Sequence, residues 1–231
     1  MQTITTETTI GEIVRAVPAR SRIFEKLGID YCCGGKKPLA EVCLSKGLDP
    51  VTVVAILSSL DEVADTALPD ADLMSLSDLC DHIQRVHHGP LREELPRIDF
   101  MARKVAAVHG EHEPRLLEVQ RLFEVFQEKV SDHTRKEDET IFPAIRKLET
   151  AAAGEPRPNL QELVGKLEEE HENTGAALER FKALTDDYTV PEWACNTFRA
   201  LYDGLARLER DMHQHVHKEN NILFPKALAR A

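Results

Sequence analysis

The sequence predicts an all-α protein, with a small helical domain followed by a four-helix bundle. Apolar residues recur at three- and four-residue spacing along most of the chain, which is the periodicity of amphipathic helices. The part after residue 75 is an imperfect duplication, because each half carries a histidine followed by a His-x-x-x-Glu segment. In both halves a Phe-Pro dipeptide begins five residues after that glutamate. These observations together predict a bundle built from two related helix pairs.

The chain is predicted to have three parts. Residues 1–66 form the small helical domain, residues 67–74 are a linker, and residues 75–231 form the bundle. The linker assignment depends on the stretch from Asp65 to Asp72, which contains Pro69 and has no helical periodicity. A chain of 231 residues is long enough for one or two domains with a substantial core.

The helices of the small domain are predicted from their end signals. Thr9 can cap a first helix, and Glu12, three residues later, completes a capping-box pattern. A second short helix stops at Gly28. After a third helix, Asp49 and Pro50 open a fourth one as its N-cap and its first helical residue.

The segment Tyr31-Cys32-Cys33-Gly34-Gly35 is predicted to be a loop, because it has no periodicity and contains two adjacent glycines. Two lysines follow it, and their charge together with exposed backbone N–H groups is expected to lower the pKa of the thiols. Cys32 and Cys33 are therefore candidates for redox chemistry or for binding a soft metal. The alternative is that one cysteine packs in the small core and the other has no role.

Four long helices are predicted after the linker. Helix A begins near Ser75, a suitable N-cap, and helix B runs from about 114 to 149. Helix C covers about 159–184, after a linker at 151–158 that contains glycine and proline, and helix D covers about 191–229. Their apolar stripes follow the spacing of helices that face a common core.

Six residues in these stripes are candidate metal ligands. They are His88, His133, Glu137, His171, His215 and Glu219. In each half the second histidine and the glutamate are four residues apart, so they lie on one helix face. Two buried carboxylates are costly unless a cation compensates them, and imidazole with carboxylate suits iron, manganese or zinc. A core of satisfied histidines without metal is the alternative.

Helix A contains two adjacent histidines that compete for the role of ligand. Its apolar stripe shifts by one residue at His87-His88-Gly89-Pro90. The apolar residues before this point are in phase with His87, whereas those after it and the spacing of the repeat favour His88. We select His88.

Several other residues are not assigned as ligands. Glu170 is expected either to hydrogen-bond a ligand or to be one more solvated acid in an acidic run. His109 is left out because 21 residues of continuous helix would place it about 31 Å from His88. His217 is expected at the surface, and Cys195 is expected to be an inert packing residue.

Composition limits the location and partners of the chain. It has 29 basic and 40 acidic residues, a formal charge of −11, which argues against nucleic acid and anionic membranes as partners. The longest apolar run, 51–57, is too short to cross a bilayer, and the N-terminus lacks the features of a signal peptide. Five cysteines without a disulfide-framework spacing fit a reducing compartment. We therefore expect a cytoplasmic protein.

The order of the candidate ligands, with Phe-Pro after each glutamate, resembles that of hemerythrin-like domains. The segment Asp30-Tyr-Cys-Cys-Gly-Gly35 resembles the N-terminal domain of the iron–sulfur cluster repair di-iron proteins. The resemblance implies two non-haem irons, bridged by carboxylates and by an oxo group when oxidised. It implies that the irons are held by His88, His133, His171 and His215, with Glu137 and Glu219 as bridges. Cys32 and Cys33 match the cysteine pair of that family.

The resemblance also implies a function. The family restores iron–sulfur clusters damaged by nitric oxide or oxidants by supplying iron, so the implied partners are damaged iron–sulfur proteins, with NO or O2 as small ligands. Two alternatives stay open: an enzyme that reduces NO or peroxide, and a sensor or carrier that binds O2 or NO. The sequence also leaves open whether the chain forms a homodimer. The scaffold alone does not decide among these functions.

Overall fold

The computed structural model describes residues 4–59, 71–150 and 159–230. Within these ranges the regular structure is helical, apart from an isolated β-bridge between Thr9 and Pro38. The prediction of an all-α fold is therefore confirmed. Among the described helices, none combines the length and the apolar character needed to cross a membrane.

The small domain contains four short α-helices in its described part. They are α1 (Ile10–Ala16), α2 (Ser21–Lys26), α3 (Leu39–Ser45) and α4 (Pro50–Ser58). The predicted capping box is present, since the Thr9 hydroxyl accepts from the backbone N–H of Glu12 and the Glu12 carboxylate accepts from that of Thr9. Asp49 caps α4 as predicted. The side chains of Phe24 and Tyr31 are fully buried in the core of this domain.

The bundle consists of four helical rods. Rod A contains α5 (Leu76–Ile83) and α6 (Gly89–His109), and rod B contains α7 (Arg115–Lys136) and α8 (Phe142–Thr150). Rod C is the single helix α9 (Leu160–Leu184), and rod D contains α10 (Asn196–Lys218) and α11 (Phe224–Leu228). Ser75 caps rod A as predicted, its hydroxyl accepting from the N–H of Asp78.

Helix D begins later than the predicted residue 191. Residues 191–194 instead form a separate turn, in which the N–H of Ala194 donates to the carbonyl oxygen of Pro191 at 3.0 Å. Cys195 then takes an extended conformation as the N-cap of α10. The prediction of Cys195 as a packing residue is therefore wrong: it lies outside the helical stripe and is exposed.

Rods A, B and D are each interrupted by one π-helical turn, at Gln84–His88, Glu137–Ile141 and Glu219–Leu223. Pro90, Pro143 and Pro225 each lie two residues after the last π-helical residue. Proline has no N–H and cannot make the i→i−4 bond that would continue the α-helix from the preceding turn. Rod C has no proline at the corresponding place and is α-helical throughout. The π-turn of rod A accounts for the one-residue shift of its stripe at His87-His88.

Two apolar clusters fill the bundle on either side of a polar layer. One contains Phe123, Phe126, Phe181 and Phe198 together with neighbouring aliphatic residues, and we call it the aromatic cluster. The other contains Ile83, Ile141, Leu167, Phe224 and their neighbours. Along each rod a candidate ligand lies between the residues that contribute to the two clusters. The candidate site is therefore enclosed by apolar side chains on both sides.

The small domain contacts the bundle at the π-turn of rod D. Asn221 donates a hydrogen bond from Nδ2 to the carbonyl oxygen of Cys32 at 3.0 Å. Gly11 and Gly35 permit this approach, because a Cβ atom at either position would collide with the Asn221 side chain. His217 lies under the same contact, 3.3 Å from the carbonyl oxygen of Tyr31. The surface prediction for His217 is therefore wrong, since it is buried.

Candidate metal centre

The structure brings the six candidate ligands together in one buried layer. They form two groups that share both glutamates. One group is His88 and His215 with Glu137 and Glu219, and the other is His133 and His171 with the same two carboxylates. Within each group the ligand atoms lie within 4.8 Å of one another. The arrangement therefore provides two adjacent positions, each with two imidazoles and two shared carboxylates.

The imidazoles of each position face each other through their Nε2 atoms. The Nε2–Nε2 distance is 3.0 Å between His88 and His215 and 2.9 Å between His133 and His171. In the second pair, Glu170 and the amide oxygen of Asn220 contact the two Nδ1 atoms, which therefore carry the protons. Two Nε2 lone pairs then point at each other, a contact that only a proton or a metal ion between them stabilises. The donor set fits metal binding.

The two glutamates also indicate a metal-binding site. Both are fully buried, and both oxygens of Glu137 and one of Glu219 have no hydrogen-bond partner within the part of the chain that the structure describes. Their nearest cationic groups are the imidazoles, with Nε2 of His88 and His133 at 3.4 and 3.3 Å from the Glu137 oxygens. Buried carboxylates without hydrogen bonds are unfavourable, and coordination of cations by these oxygens would satisfy them.

The comparisons with known proteins cover nearly the whole chain. Residues 6–61 match ScdA_N, described as a domain of unknown function (DUF542), and residues 79–227 match the hemerythrin HHE cation binding domain. The chain is 35% identical over 224 residues to the iron–sulfur cluster repair protein ScdA of Staphylococcus epidermidis, covering 96% of this chain and 99% of the relative. It is 34% identical over 220 residues to the repair protein YtfE of Escherichia coli, covering 95% and 96% of the two chains.

The chain belongs to the ScdA/YtfE family of iron–sulfur cluster repair proteins. The resemblance inferred from the motifs is thereby confirmed. All six candidate ligands fall within the part that matches the cation-binding domain. In this member of the family, the His and Glu cluster could hold metal ions, and among the described residues a smaller group of Asp30, Cys32 and Cys33 also has the spacing of metal ligands.

Three hydrogen bonds orient three of the four candidate ligand imidazoles. The Nδ1 atom of His88 contacts Asp138 at 2.8 Å, that of His133 contacts Glu170 at 2.7 Å, and that of His171 contacts Asn220 at 2.8 Å. Such partners fix the ring orientation and increase the basicity of the metal-binding nitrogen. Glu170 therefore hydrogen-bonds a candidate ligand, one of the two expectations for it.

Asp138 and Asn220 were missed by the sequence analysis. Each directly follows one of the shared glutamates, at equivalent positions of the two halves. Each also contacts the first candidate histidine of its own half, so the duplication itself contained the signal. A polar residue directly after the glutamate in both copies distinguishes these two from the other polar residues of the bundle.

His87 lies beside the centre without entering either ligand group. Its ring stacks on that of His215, with centroids 5.2 Å apart and planes 8° from parallel. Its Nδ1 atom contacts Asp211 at 2.8 Å and its Nε2 atom contacts the ammonium of Lys218 at 2.8 Å. The structure thus places His88, rather than His87, with the other candidate ligands, because the π-turn turns His88 inward.

Without metal, the cluster retains protons. Burial alone would lower the pKa of His88, but the carboxylates of Glu137 and Glu219 outweigh it and raise the pKa to about 10. The same opposition between burial and carboxylates, chiefly Glu137, raises the pKa of His133 to about 9. Imidazoles must lose such protons before they can bind a metal.

The Tyr-Cys-Cys-Gly-Gly loop is a turn around the carboxylate of Asp30. That carboxylate accepts backbone hydrogen bonds from Cys32, Cys33 and Gly34 at 2.9–3.0 Å. The two thiols are free, and their sulfur atoms are 3.7 Å apart. The prediction of a lowered thiol pKa is wrong for Cys32. The hydrogen bond with Cys33, burial and the Asp30 charge all raise its pKa well above the usual value.

His109 is placed at the end of α6, away from the candidate ligands. Its Nε2 atom is 3.2 Å from the sulfur of Cys195, and its ring contacts Trp193 and Phe198. Phe198 belongs to the aromatic cluster, so His109 lies at that end of the bundle. Its omission from the candidate ligands agrees with this placement.

Proposed function

We propose that this protein repairs damaged iron–sulfur clusters by donating iron from a di-iron centre. The observation that supports this most strongly is the buried layer in which two opposed imidazole pairs share two glutamates. Membership of the repair-protein family supports the same function, since the curated relatives are named iron–sulfur cluster repair proteins.

The ligand set suits storage of iron that must leave again. His88 and His215 would hold one ion and His133 and His171 the other, with the two glutamates as shared ligands. With neutral imidazoles the six ligands carry a charge of −2, less than a carboxylate-rich site would provide. Fewer hard anionic ligands stabilise ferric iron less. Bound iron would supply redox chemistry and open positions for NO or O2, and an oxo bridge when oxidised.

A cleft of about 80 Å³ supports a route for iron between the centre and the surface. It is lined by Cys32, Cys33, Lys36, Glu168, Glu172, Asn220 and Asn221. Asn220 also contacts the Nδ1 atom of His171, so the cleft wall and the ligand layer share one side chain. We assign the two thiols the role of receiving iron on its way to the client. The clients would be cytoplasmic iron–sulfur proteins whose clusters have lost iron.

The proposal is tested by adding iron-loaded protein to a hydro-lyase whose [4Fe–4S] cluster has been damaged by NO. Recovery of hydro-lyase activity, together with loss of iron from the donor, is expected. The variant Cys32→Ala/Cys33→Ala should retain its iron but repair more slowly. Cys43→Ala is the matched control, because Cys43 is buried in the core of the small domain and lines no part of the cleft.

Two outcomes would contradict iron donation. Absence of recovery with fully loaded protein would remove the proposed function. Steady consumption of NO in the presence of a reductant, with all iron retained, would favour the reductase alternative. Reversible binding of O2 or NO without turnover would favour the sensor or carrier.

A further inference from the structure

The two halves of the bundle support their first ligand histidine in the same way. The repeat pairs His88 with His171 and places Asp138 and Asn220 directly after the two shared glutamates. Asp138 contacts the Nδ1 atom of His88, and Asn220 contacts that of His171, both at 2.8 Å. For these two ligands the pseudo-symmetry of the centre is intact.

The pseudo-symmetry fails for the second ligand histidine of each half. Glu170, directly before His171, contacts both the Nδ1 atom of His133 at 2.7 Å and the ammonium of Lys136 at 3.1 Å. In the other half the equivalent of Glu170 is His87, and the equivalent of Lys136 is Lys218.

His87 keeps the contact with the lysine but not the contact with the ligand. Its Nε2 atom is 2.8 Å from the ammonium of Lys218, while its Nδ1 atom is engaged by Asp211. Its ring only stacks on His215. The Nδ1 atom of His215 is buried and has no hydrogen-bond partner among the described residues.

The carboxylate partners of the ligand histidines at the two metal positions are equivalent. Asp138 and Glu170 are both carboxylates, and each is also paired with a cation, Arg92 for the first and Lys136 for the second. The difference left over is one hydrogen bond: His171 has its Asn220 partner, whereas His215 has none. Loss of one such partner of a metal-binding histidine typically reduces metal affinity by about 10- to 100-fold.

We infer that the two metal positions are unequal, and that the ion held by His88 and His215 is bound about 10- to 100-fold more weakly. This more weakly bound ion is the one donated first, a step that rests on the proposed function. His87 lowers the metal affinity of this position indirectly. It occupies the place from which Glu170 supports a ligand histidine in the other half, and it leaves His215 without such a partner.

The substitution His87→Glu tests the inference, because it copies the second half of the bundle into the first. The full-length metal-free protein is titrated with Co2+ against a competing chelator, with visible absorption as the readout. The wild type should bind two ions in separated steps. His87→Glu should tighten the second step by about 10- to 100-fold and leave the first unchanged. Val86→Glu is the matched control, since it adds the same charge at an exposed neighbour and should move neither step.

The substitution Glu170→Ala provides the opposite change. It removes the partner of His133, so it should weaken the first step by about 10- to 100-fold while the second stays in place. Two further variants isolate the positions. The variant His88→Ala/His215→Ala retains only the position of His133 and His171. The variant His133→Ala/His171→Ala retains only the position of His88 and His215. The first of these variants should bind its single Co2+ more tightly than the second.

The inference is overturned if His87→Glu tightens the first step or neither step, if Glu170→Ala weakens the second step, or if the isolated positions bind equally. Far-UV circular dichroism of each metal-free variant establishes that it is folded before titration. None of these readouts involves cluster repair. Failure of iron donation would therefore not contradict unequal metal affinities. Equal affinities would likewise not contradict iron donation.

Discussion

The polar layer and the aromatic cluster occupy the same rods but follow opposite physical rules. The cluster of Phe123, Phe126, Phe181 and Phe198 buries apolar area in tight edge and tilted contacts and needs no further component. The polar layer buries two carboxylates and four imidazoles whose facing atoms are satisfied only by cations. The aromatic cluster therefore stabilises the fold, whereas burial of the polar layer costs stability in the absence of cations and provides a site for them.

The largest effect is expected from a cavity in the aromatic cluster. Phe123→Ala should lower the free energy of unfolding of the metal-free protein by about 3–5 kcal/mol, because it removes a fully buried ring. Urea denaturation followed by circular dichroism measures this loss. The folded variant should still bind as much Co2+ per chain as the wild type. A loss of metal binding at full folding would show that the two regions are not separable.

Metal removal is the complementary experiment on the polar layer. An ion that binds only the folded chain, present at about a hundredfold its dissociation constant, stabilises it by about 2.7 kcal/mol. Chelation should therefore lower the unfolding midpoint in urea, and Co2+ should restore it. Phe123→Ala should show the same metal-dependent increment as the wild type. An unfolding midpoint insensitive to metal would contradict binding at the buried layer.

Replacing a shared glutamate should not lower the free energy of unfolding of the metal-free protein, in contrast to Phe123→Ala. Glu137→Leu removes a buried carboxylate that has no hydrogen bonds among the described residues, and the imidazoles of His88 and His133, whose pKa it raises, can then become neutral rather than remain as unpaired buried charges. The metal-free variant should then be as stable as the metal-free wild type or more stable, while Co2+ binding is weakened at both positions, because Glu137 belongs to both ligand groups. Glu139→Leu, at an exposed position two residues away, is the control. A marked destabilisation of metal-free Glu137→Leu would mean that the layer supports the fold.

The repeat made much of the bundle and its site predictable. The spacing of the histidines and glutamates is local to single helices, so apolar periodicity together with the spacing of the repeat placed all six in the core. The one-residue shift of the apolar stripe at His87-His88 was visible in the sequence. Its cause is a π-helical turn, with Pro90 two residues after its end. This cause was recognised from the structure, in which rods B and D have the same feature.

The wrong predictions have different physical causes. His217 is buried because the small domain covers rod D, and periodicity within rod D contains no information about that contact. The pKa of Cys32 is raised by the hydrogen bond with Cys33, by burial and by the charge of Asp30, whereas the Lys36 ammonium pairs with Glu168 of rod C. The prediction considered the two lysines after the loop but not the carboxylate of Asp30, two residues before Cys32.

The smallest effect is expected at the surface contact between the small domain and the bundle. The ammonium of Lys36 is 2.7 Å from a carboxylate oxygen of Glu168, but the Lys36 side chain is 68% exposed. Such pairs contribute about 0–1 kcal/mol, so Lys36→Ala should change the free energy of unfolding by less than about 1 kcal/mol. Asn221→Leu should destabilise more, because it leaves the buried Cys32 carbonyl without its donor. If Lys36→Ala proved the more damaging in urea denaturation, surface charge rather than the buried contact would hold the small domain on the bundle.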